Sequence, residues 1–280
     1  MDIVVDRNIF LPNFAVDMTN SDNLTLRIGR GTLSMLLQPS GSDDVVYEPY
    51  VVRSGVSMAA NLREAFRKSD LLLQAPPRVR VLLDSDVLMV PVEQFDESTM
   101  AAMHHHAFPG SEQDATDFNV VPDLNVVAVF AVNKDLRLVL DDHFRDVSII
   151  TLMQPVWRYM HQRSYTGNHQ KLYAYFHEKR LEVFAFQQRR FKFCNVYDVP
   201  RYKDAVFFIL YVWRSLMLKA ESDELHLIGD IPQEPDFEEQ LHRFLKKVYT
   251  VNPSADFSDH AVASVKGIPY DLQTLVVRGR

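Results

Sequence analysis

Residues 171–199 read KLYAYFHEKRLEVFAFQQRRFKFCNVYDV. Three stretches rich in aromatic and apolar residues, KLYAYFH, LEVFAFQ and FKFCNVYDV, are separated only by Glu178-Lys179-Arg180 and Gln188-Arg189-Arg190. That spacing predicts a β-meander, because such side chains suit a pleated surface and a few polar residues are enough to reverse the chain. Pro200 then precedes a long apolar helix, RYKDAVFFILYVWRSLMLKA (201–220), and ELHLIG (224–229) reads as the next strand. The order is strand, strand, strand, helix, strand.

The same order stands earlier in the chain. LTLRIG (24–29), TLSMLLQP (32–39) and VVYEPYVV (45–52) are three apolar runs divided by glycine-bearing or polar turns. VSMAANLREAFRKSDL (56–71) follows as a helix with Met58, Leu62, Ala65 and Phe66 on one face and Ser57 as its N-cap, and RVRVLLDS (78–85) as a strand. The two copies share negligible identity, so the repeat is one of architecture. Between them lie a second extended piece, DVLMVPV (86–92), a polar loop over 109–117 and the strand NVVAVFAV (125–132). The helix KDLRLVLDDHF (134–144), the strand DVSIITLM (146–153) and a helix led by Pro155 complete this part. Strands alternating with helices predict parallel pairing here. The expected division is a first lobe over 1–165, carrying an extra extended segment and loop around 84–125, and a second over 166–280, with Gly167-Asn168 at the junction.

The chain has 280 residues, 47% hydrophobic and 24% charged, which suits a globular α/β protein with a sizeable core. A net charge of −7 disfavours a surface that tracks phosphates. The basic and aromatic residues from Arg189 to Phe193 are accounted for by strand alternation, aromatic inward and basic outward, so nucleic acid is not an expected partner. The single cysteine, Cys194, has no internal disulfide partner, and a reducing compartment follows. MDIVVDRNIF carries Asp2 and Asp6 and lacks the basic start and apolar core of a secretory leader. AVFFILYVW (205–213) falls short of the ~20 apolar residues of a membrane span. A cytoplasmic address without a transmembrane segment is therefore the expectation.

Three strands, helix, strand, helix, strand, present twice, resembles the plan of the actin-like ATPase superfamily, in which each half is a ribonuclease-H-like domain. The chain is similar to an uncharacterised bacterial family with that fold and, more distantly, to the PilM and GspL proteins of pilus and type II secretion machines. RVRVLLDSDVLMVPVEQF before a helix, then NVVAVFAVNKDLRLVLDDHF, a strand and a Pro-led helix, carry the second likeness. The superfamily binds ATP between its halves through three short signals. The first is an Asp-x-Gly turn between the first two strands. The matching turn is Arg27-Ile28-Gly29-Arg30-Gly31-Thr32, where arginine stands at the aspartate position and offers magnesium no oxygen. The second is a glycine-bearing turn opening the second half, matched by Tyr175 to Arg180 without any glycine. The third, a Gly-Gly pair for adenosine, survives as Gly229-Asp230. The resemblance thus implies that Gly29, Arg30, Gly31, Thr32, Gly229 and Asp230 are the remnant of a nucleotide cleft.

Other clusters have ordinary readings. His104-His105-His106 point about 100° apart on a helix and cannot converge on one ion, so they are surface or cap histidines. Asp141-Asp142-His143 is a solvated helix end, and Asp84, Ser85 and Asp86 are turn residues. The apolar helix from Arg201 is expected to lie wedged between its sheet and the other half. Phe237, Leu241, Phe244, Leu245 and Val248 make one face of a surface helix, and GIPYDLQTLVVRGR (267–280) either adds an edge strand or wraps onto the body. No catalytic residue, metal ligand or cofactor is assigned. By analogy with PilM and GspL, the expected function is a non-catalytic scaffold with a degenerate nucleotide site, binding another protein or a second copy of itself. The alternative is an ATP-binding switch or ATPase in which Arg27 or Arg30 holds phosphate and Asp230 the sugar or magnesium. A two-metal nuclease is set aside, since Arg27 stands where a carboxylate is needed.

Overall fold

A computed structural model of the protein describes residues 23–42, 44–166, 169–187 and 190–278. The stretch holding Asp2 and Asp6, the Gly167-Asn168 junction and the Gln188-Arg189 turn lie outside them. The first half contains β1 (Asn23–Ile28), β2 (Leu33–Gln38), β3 (Val46–Tyr50), α1 (Met58–Lys68), α2 (Asp70–Leu73) and β4 (Arg78–Leu83). It continues through β5 (Val87–Pro91), α3 (Met100–Ala107), β6 (Ala115–Val121), β7 (Val126–Val132), α4 (Lys134–His143), β8 (Asp146–Thr151) and α5 (Gln154–Arg163). The second half holds β9 (Lys171–His177), β10 (Arg180–Gln187), β11 (Arg190–Asp198), α6 (Tyr202–Ser215), β12 (Glu224–Gly229), α7 (Phe237–His242), β13 (Val248–Thr250), α8 (Pro253–Asp256) and α9 (Tyr270–Arg278).

Two five-stranded sheets share one topology, β3-β2-β1-β4-β8 and β11-β10-β9-β12-β13. In each, the meander is antiparallel and the last two strands join it in parallel. Strand alternation gives each sheet two faces. On the first sheet Leu24, Leu26, Ile28, Val79, Val81 and Leu83 pack outward on α1 and α4. On the second, Leu172, Ala174, Phe176, Leu181 and Val183 pack outward on α6 and α7. The opposite faces meet around α5 and α9 in a shared core that includes Leu36, Leu82, Trp157, Tyr173, Tyr175, Phe184 and Leu272. Every residue in phase with these, Arg27 and Asp84 on one side and His177, Arg180 and Glu182 on the other, is thereby aimed into the space between the halves. Among the described residues no helix is long and apolar enough to cross a membrane.

Three elements depart from the sequence expectation, and a fourth decides between two readings. β7 does not join the main sheet in parallel but runs antiparallel between β5 and β6 in a separate three-stranded sheet. All seven of its residues are buried, so its unbroken apolar run has no period to distinguish it from a parallel-sheet strand. α6 is not wedged between the halves: it packs on the second sheet and α7, and Phe207 and Tyr211 are 62% and 58% exposed. The helix expected through Val248 stops at His242, leaving Phe244 exposed and Val248 in β13. Of the two expectations for the stretch from Gly267, the wrap onto the body holds: residues 270–278 form a helix that packs back on the first half.

Candidate functional site

Arg27 is 4% exposed. Its Nε and Nη2 each donate to Asp271 of α9, at 2.9 Å to Oδ1 and 2.9 Å to Oδ2, in the two-pronged geometry of a strong charge-assisted pair. Its Nη1 donates to Thr32 Oγ1 at 2.8 Å and to Glu178 Oε1 at 3.1 Å. Asp271, with no exposed surface, also accepts from the Tyr175 hydroxyl at 2.7 Å. Burial works against the guanidinium charge, but Asp271 outweighs it and holds Arg27 protonated well beyond its ordinary range.

Glu178 and Lys179 are the two turn residues between β9 and β10, with φ of 46° and 62°. Two positive φ values match the twist of a tight hairpin, a geometry that glycine and asparagine adopt more readily. The turn places the Glu178 carboxylate in the mouth of the β1–β2 hairpin. There it accepts from the Gly31 backbone N–H at 2.8 Å and from the Thr32 hydroxyl, besides Arg27. A Cβ on Gly29 would lie 1.8 Å from Glu178 Oε1, so glycine is a condition of this approach. Burial pushes the Glu178 carboxyl up, yet Thr32, Gly31 and Arg27 together hold it below its usual range.

Arg180 donates from Nη1 to Asp84 Oδ1 and from Nη2 to Asp86 Oδ1, both at 2.7 Å, and Arg30 reaches the same Asp86 oxygen at 2.7 Å. His177, 2% exposed, stands between Asp84 and Glu182, with Nδ1 3.8 Å from Asp84 Oδ2 and Nε2 3.8 Å from Glu182 Oε1. Neither separation is a hydrogen bond, and both ring nitrogens and Asp84 Oδ2 are buried without a partner. Burial lowers the imidazole's proton affinity, but Glu182 and Asp84 outweigh it and raise it. Burial also raises the Asp84 carboxyl against the pull of His177 and Arg180. Six carboxyl groups (Asp84, Asp86, Glu178, Glu182, Asp230 and Asp271) thus face three guanidinium groups (Arg27, Arg30 and Arg180) and the His177 imidazole. Asp84 is therefore an ion-paired residue of the cleft and not only a turn residue.

Gly229 has φ 83°, and a Cβ there would meet the Phe176 carbonyl oxygen at 2.3 Å. The next residue, Asp230, donates its N–H to that carbonyl at 2.9 Å, and burial raises its carboxyl while Arg27 pulls it down. Open space lies elsewhere. A cavity of about 450 Å³ sits beside Gly29 and Arg30, floored by Asp84 and Asp86 and roofed by residues 108–111, with all its lining from the first half. His104, expected at the surface, is fully buried at its edge, Nε2 3.0 Å from the Asp86 carbonyl, where it ties α3 to the strand below. His143 stacks on Phe66 at 3.7 Å and caps its own helix through the Val139 carbonyl.

A model of a family of proteins of unknown function, DUF3822, matches residues 11–248. The chain belongs to this family. No curated protein matches it. Among solved structures, the DUF3822 chain is similar to a Bacteroides thetaiotaomicron protein with an actin-like ATPase fold and unknown function, at 24% identity and a TM-score of 0.78, covering 88% of this chain and 97% of that one. It is also similar to a chain of the PilM–PilN type IV pilus biogenesis complex, at 13% identity and a TM-score of 0.53, covering 92% and 98%. The actin-like ATPase fold and the likeness to PilM stand as the sequence resemblance implied.

Gly29, Gly31, Thr32 and Asp230 of this DUF3822 protein stand beside groups of the opposite half, Arg30 shares Asp86 with Arg180, and a side chain at Gly229 would meet Phe176 and Tyr175 of its own half. A magnesium-bound triphosphate does not fit them as they stand. The N–H of Gly31 is taken by Glu178, and Arg27 offers a cation no ligand and is engaged by Asp271, Thr32 and Glu178. Glu178, His177, Arg180 and Asp271 were not singled out from the sequence. The signal for His177 and Arg180 was present as charges in phase with Tyr173, Tyr175 and Phe184 on apolar strands, and for Glu178 only as a turn without glycine; for Asp271 there was none.

Proposed function

We propose that this protein is a non-catalytic interaction module that keeps the two-halved actin-like body and has given up triphosphate chemistry. One observation carries the reading. The Glu178 carboxylate accepts from Gly31, Thr32 and Arg27, the hairpin donors that an anionic phosphate would otherwise take. The switch alternative requires Arg27 or Arg30 to be free for phosphate, and both are engaged by carboxylates. PilM is named in a complex with PilN, and on the same body plan another protein is the partner class that this reading assigns. A homodimer is the second arrangement, and the cytoplasmic address expected from the sequence is retained. Calorimetry with ATP and ADP in the presence of magnesium tests the core of the proposal. No saturable heat is expected for the wild type or for Glu178→Ala, since Arg27 remains at the metal position in both. Micromolar, magnesium-dependent binding to the wild type would overturn it. Sedimentation separates monomer from homodimer.

A further inference from the structure

We propose that Asp84, His177 and Glu178 bind a divalent transition-metal ion, Zn2+ or one of like preference, that clasps the two halves together. The inference deepens the proposed function by giving a cleft without triphosphate a regulator of its closure, and it rests on that cleft being free of nucleotide. Each residue offers one ligand atom, and the three atoms lie within 4.8 Å of one another. An ion about 2.1 Å from both Asp84 Oδ2 and His177 Nδ1 would span their separation at an angle of roughly 130°, close to what a tetrahedral or five-coordinate site tolerates. Arg180 occupies only Oδ1 of Asp84, so Oδ2 is the free oxygen and it faces the imidazole.

Two further observations point to a ligand rather than to a fortuitous cluster. Asp84 Oδ2 and both nitrogens of His177 are buried without a hydrogen-bond partner, which folded proteins rarely leave unexplained. Behind the ring, Glu182 lies 3.8 Å from Nε2. A metal-bound histidine commonly gives its other N–H to a carboxylate, and Glu182 is the carboxylate on the Nε2 side of this ring. The excess of carboxyl groups over guanidinium groups around the cleft favours a dication. Imidazole in the donor set selects first-row transition ions over Mg2+ and Ca2+, which take oxygen ligands. Asp84 follows β4 in the first half and the other two ligands sit at the β9–β10 turn of the second, so ligation resists separation of the halves.

The test uses the full chain, stripped with chelator and titrated with Zn2+ by calorimetry without nucleotide. One equivalent bound at micromolar affinity or tighter, a raised melting temperature, and at least a ten-fold loss in His177→Gln and in Asp84→Asn are expected. Mg2+ is expected to give no saturable binding, and His105→Ala/His106→Ala to bind Zn2+ as the wild type does. Co2+ supplies a readout independent of stability: visible d–d absorption with the wild type that is absent in His177→Gln. Failure to bind one equivalent of Zn2+, or undiminished binding by a folded His177→Gln, overturns the proposal. Failure of the Zn2+ titration leaves the nucleotide result untouched, whereas saturable ATP binding removes the reading on which the clasp rests.

Discussion

Asp271→Ala removes the carboxylate that accepts two bonds from Arg27 and one from Tyr175. It leaves a guanidinium on the inner face of β1, in a site that is 4% exposed. Removing one partner of a buried ion pair costs about 3–5 kcal/mol, because the remaining charge is desolvated without compensation. Glu178 stays 3.1 Å from Nη1 and offsets part of the loss, so the lower end, about 3 kcal/mol, is expected. At about 2–4 °C per kcal/mol, the melting temperature should fall by roughly 6–12 °C. Urea denaturation followed by circular dichroism, alongside thermal melts, measures both quantities. Replacing both charges, as in Arg27→Met/Asp271→Leu, should recover stability relative to Asp271→Ala, since an apolar pair carries no stranded charge. A loss below about 1 kcal/mol, the range of a surface pair, would refute the reasoning, as would a double variant no better than the single one.

Gly229→Ala is expected to lower stability by more than Gly41→Ala. Both sites have positive φ, worth about 1–3 kcal/mol to a non-glycine residue, but only Gly229 also meets backbone, and equal losses in urea melts would remove the clash with Phe176 as a cause. Leu26→Ala, at a fully buried position of β1, should cost about 2–5 kcal/mol in the same assay, and a cost under 1 kcal/mol would contradict the outward core described for this strand. His226 lies between the rings of Tyr173 and Tyr249, where burial lowers its proton affinity below the ordinary 6.5 and Glu224 restores it only in part. The unfolded chain therefore takes up this proton first, so the contribution of His226 is fully present above pH 6.5 and is lost as pH falls through the folded value. His226→Gln should flatten the fall of stability below pH 6.5, and parallel pH profiles for the two proteins would exclude it. A fragment ending at Val248, where the family match ends, lacks Asp271 and the α9 face of the shared core, and it should show no cooperative melt.

The repeated order of strands was legible because period-two alternation and polar turns are local properties, written within a few residues of each element. Arg27 could be placed on the first strand for the same reason, together with the glycines that follow it. What satisfies Arg27 could not be read, since Asp271 is 244 residues away and looks like any first-turn helix acid. The glycine-free turn at Glu178 pointed to a blocked approach, but the side chain that fills the hairpin is a property of two turns meeting in space. Local pattern also failed where burial has no period. The seven buried residues of β7 fit either sheet, and the apolar face of α6 carries Phe207 and Tyr211 into solvent, which helix periodicity cannot distinguish from a packed face. Asp84 and His177 had a readable signal, polar residues in step with inward-facing Leu82 and Tyr175, which turn chemistry alone obscured.

The pairing of Arg27 with Asp271 has a consequence for biosynthesis. A ribosome adding about 5–20 residues per second needs roughly 12–50 s to travel from one to the other. Throughout that interval the nascent first sheet carries a cation without its two-pronged partner, and Glu178, made earlier, meets only one of its nitrogens. Its inner surface must stay hydrated or be sheltered by a chaperone until α9 emerges. A chain interrupted before Asp271 would be left unlatched and open to proteolysis.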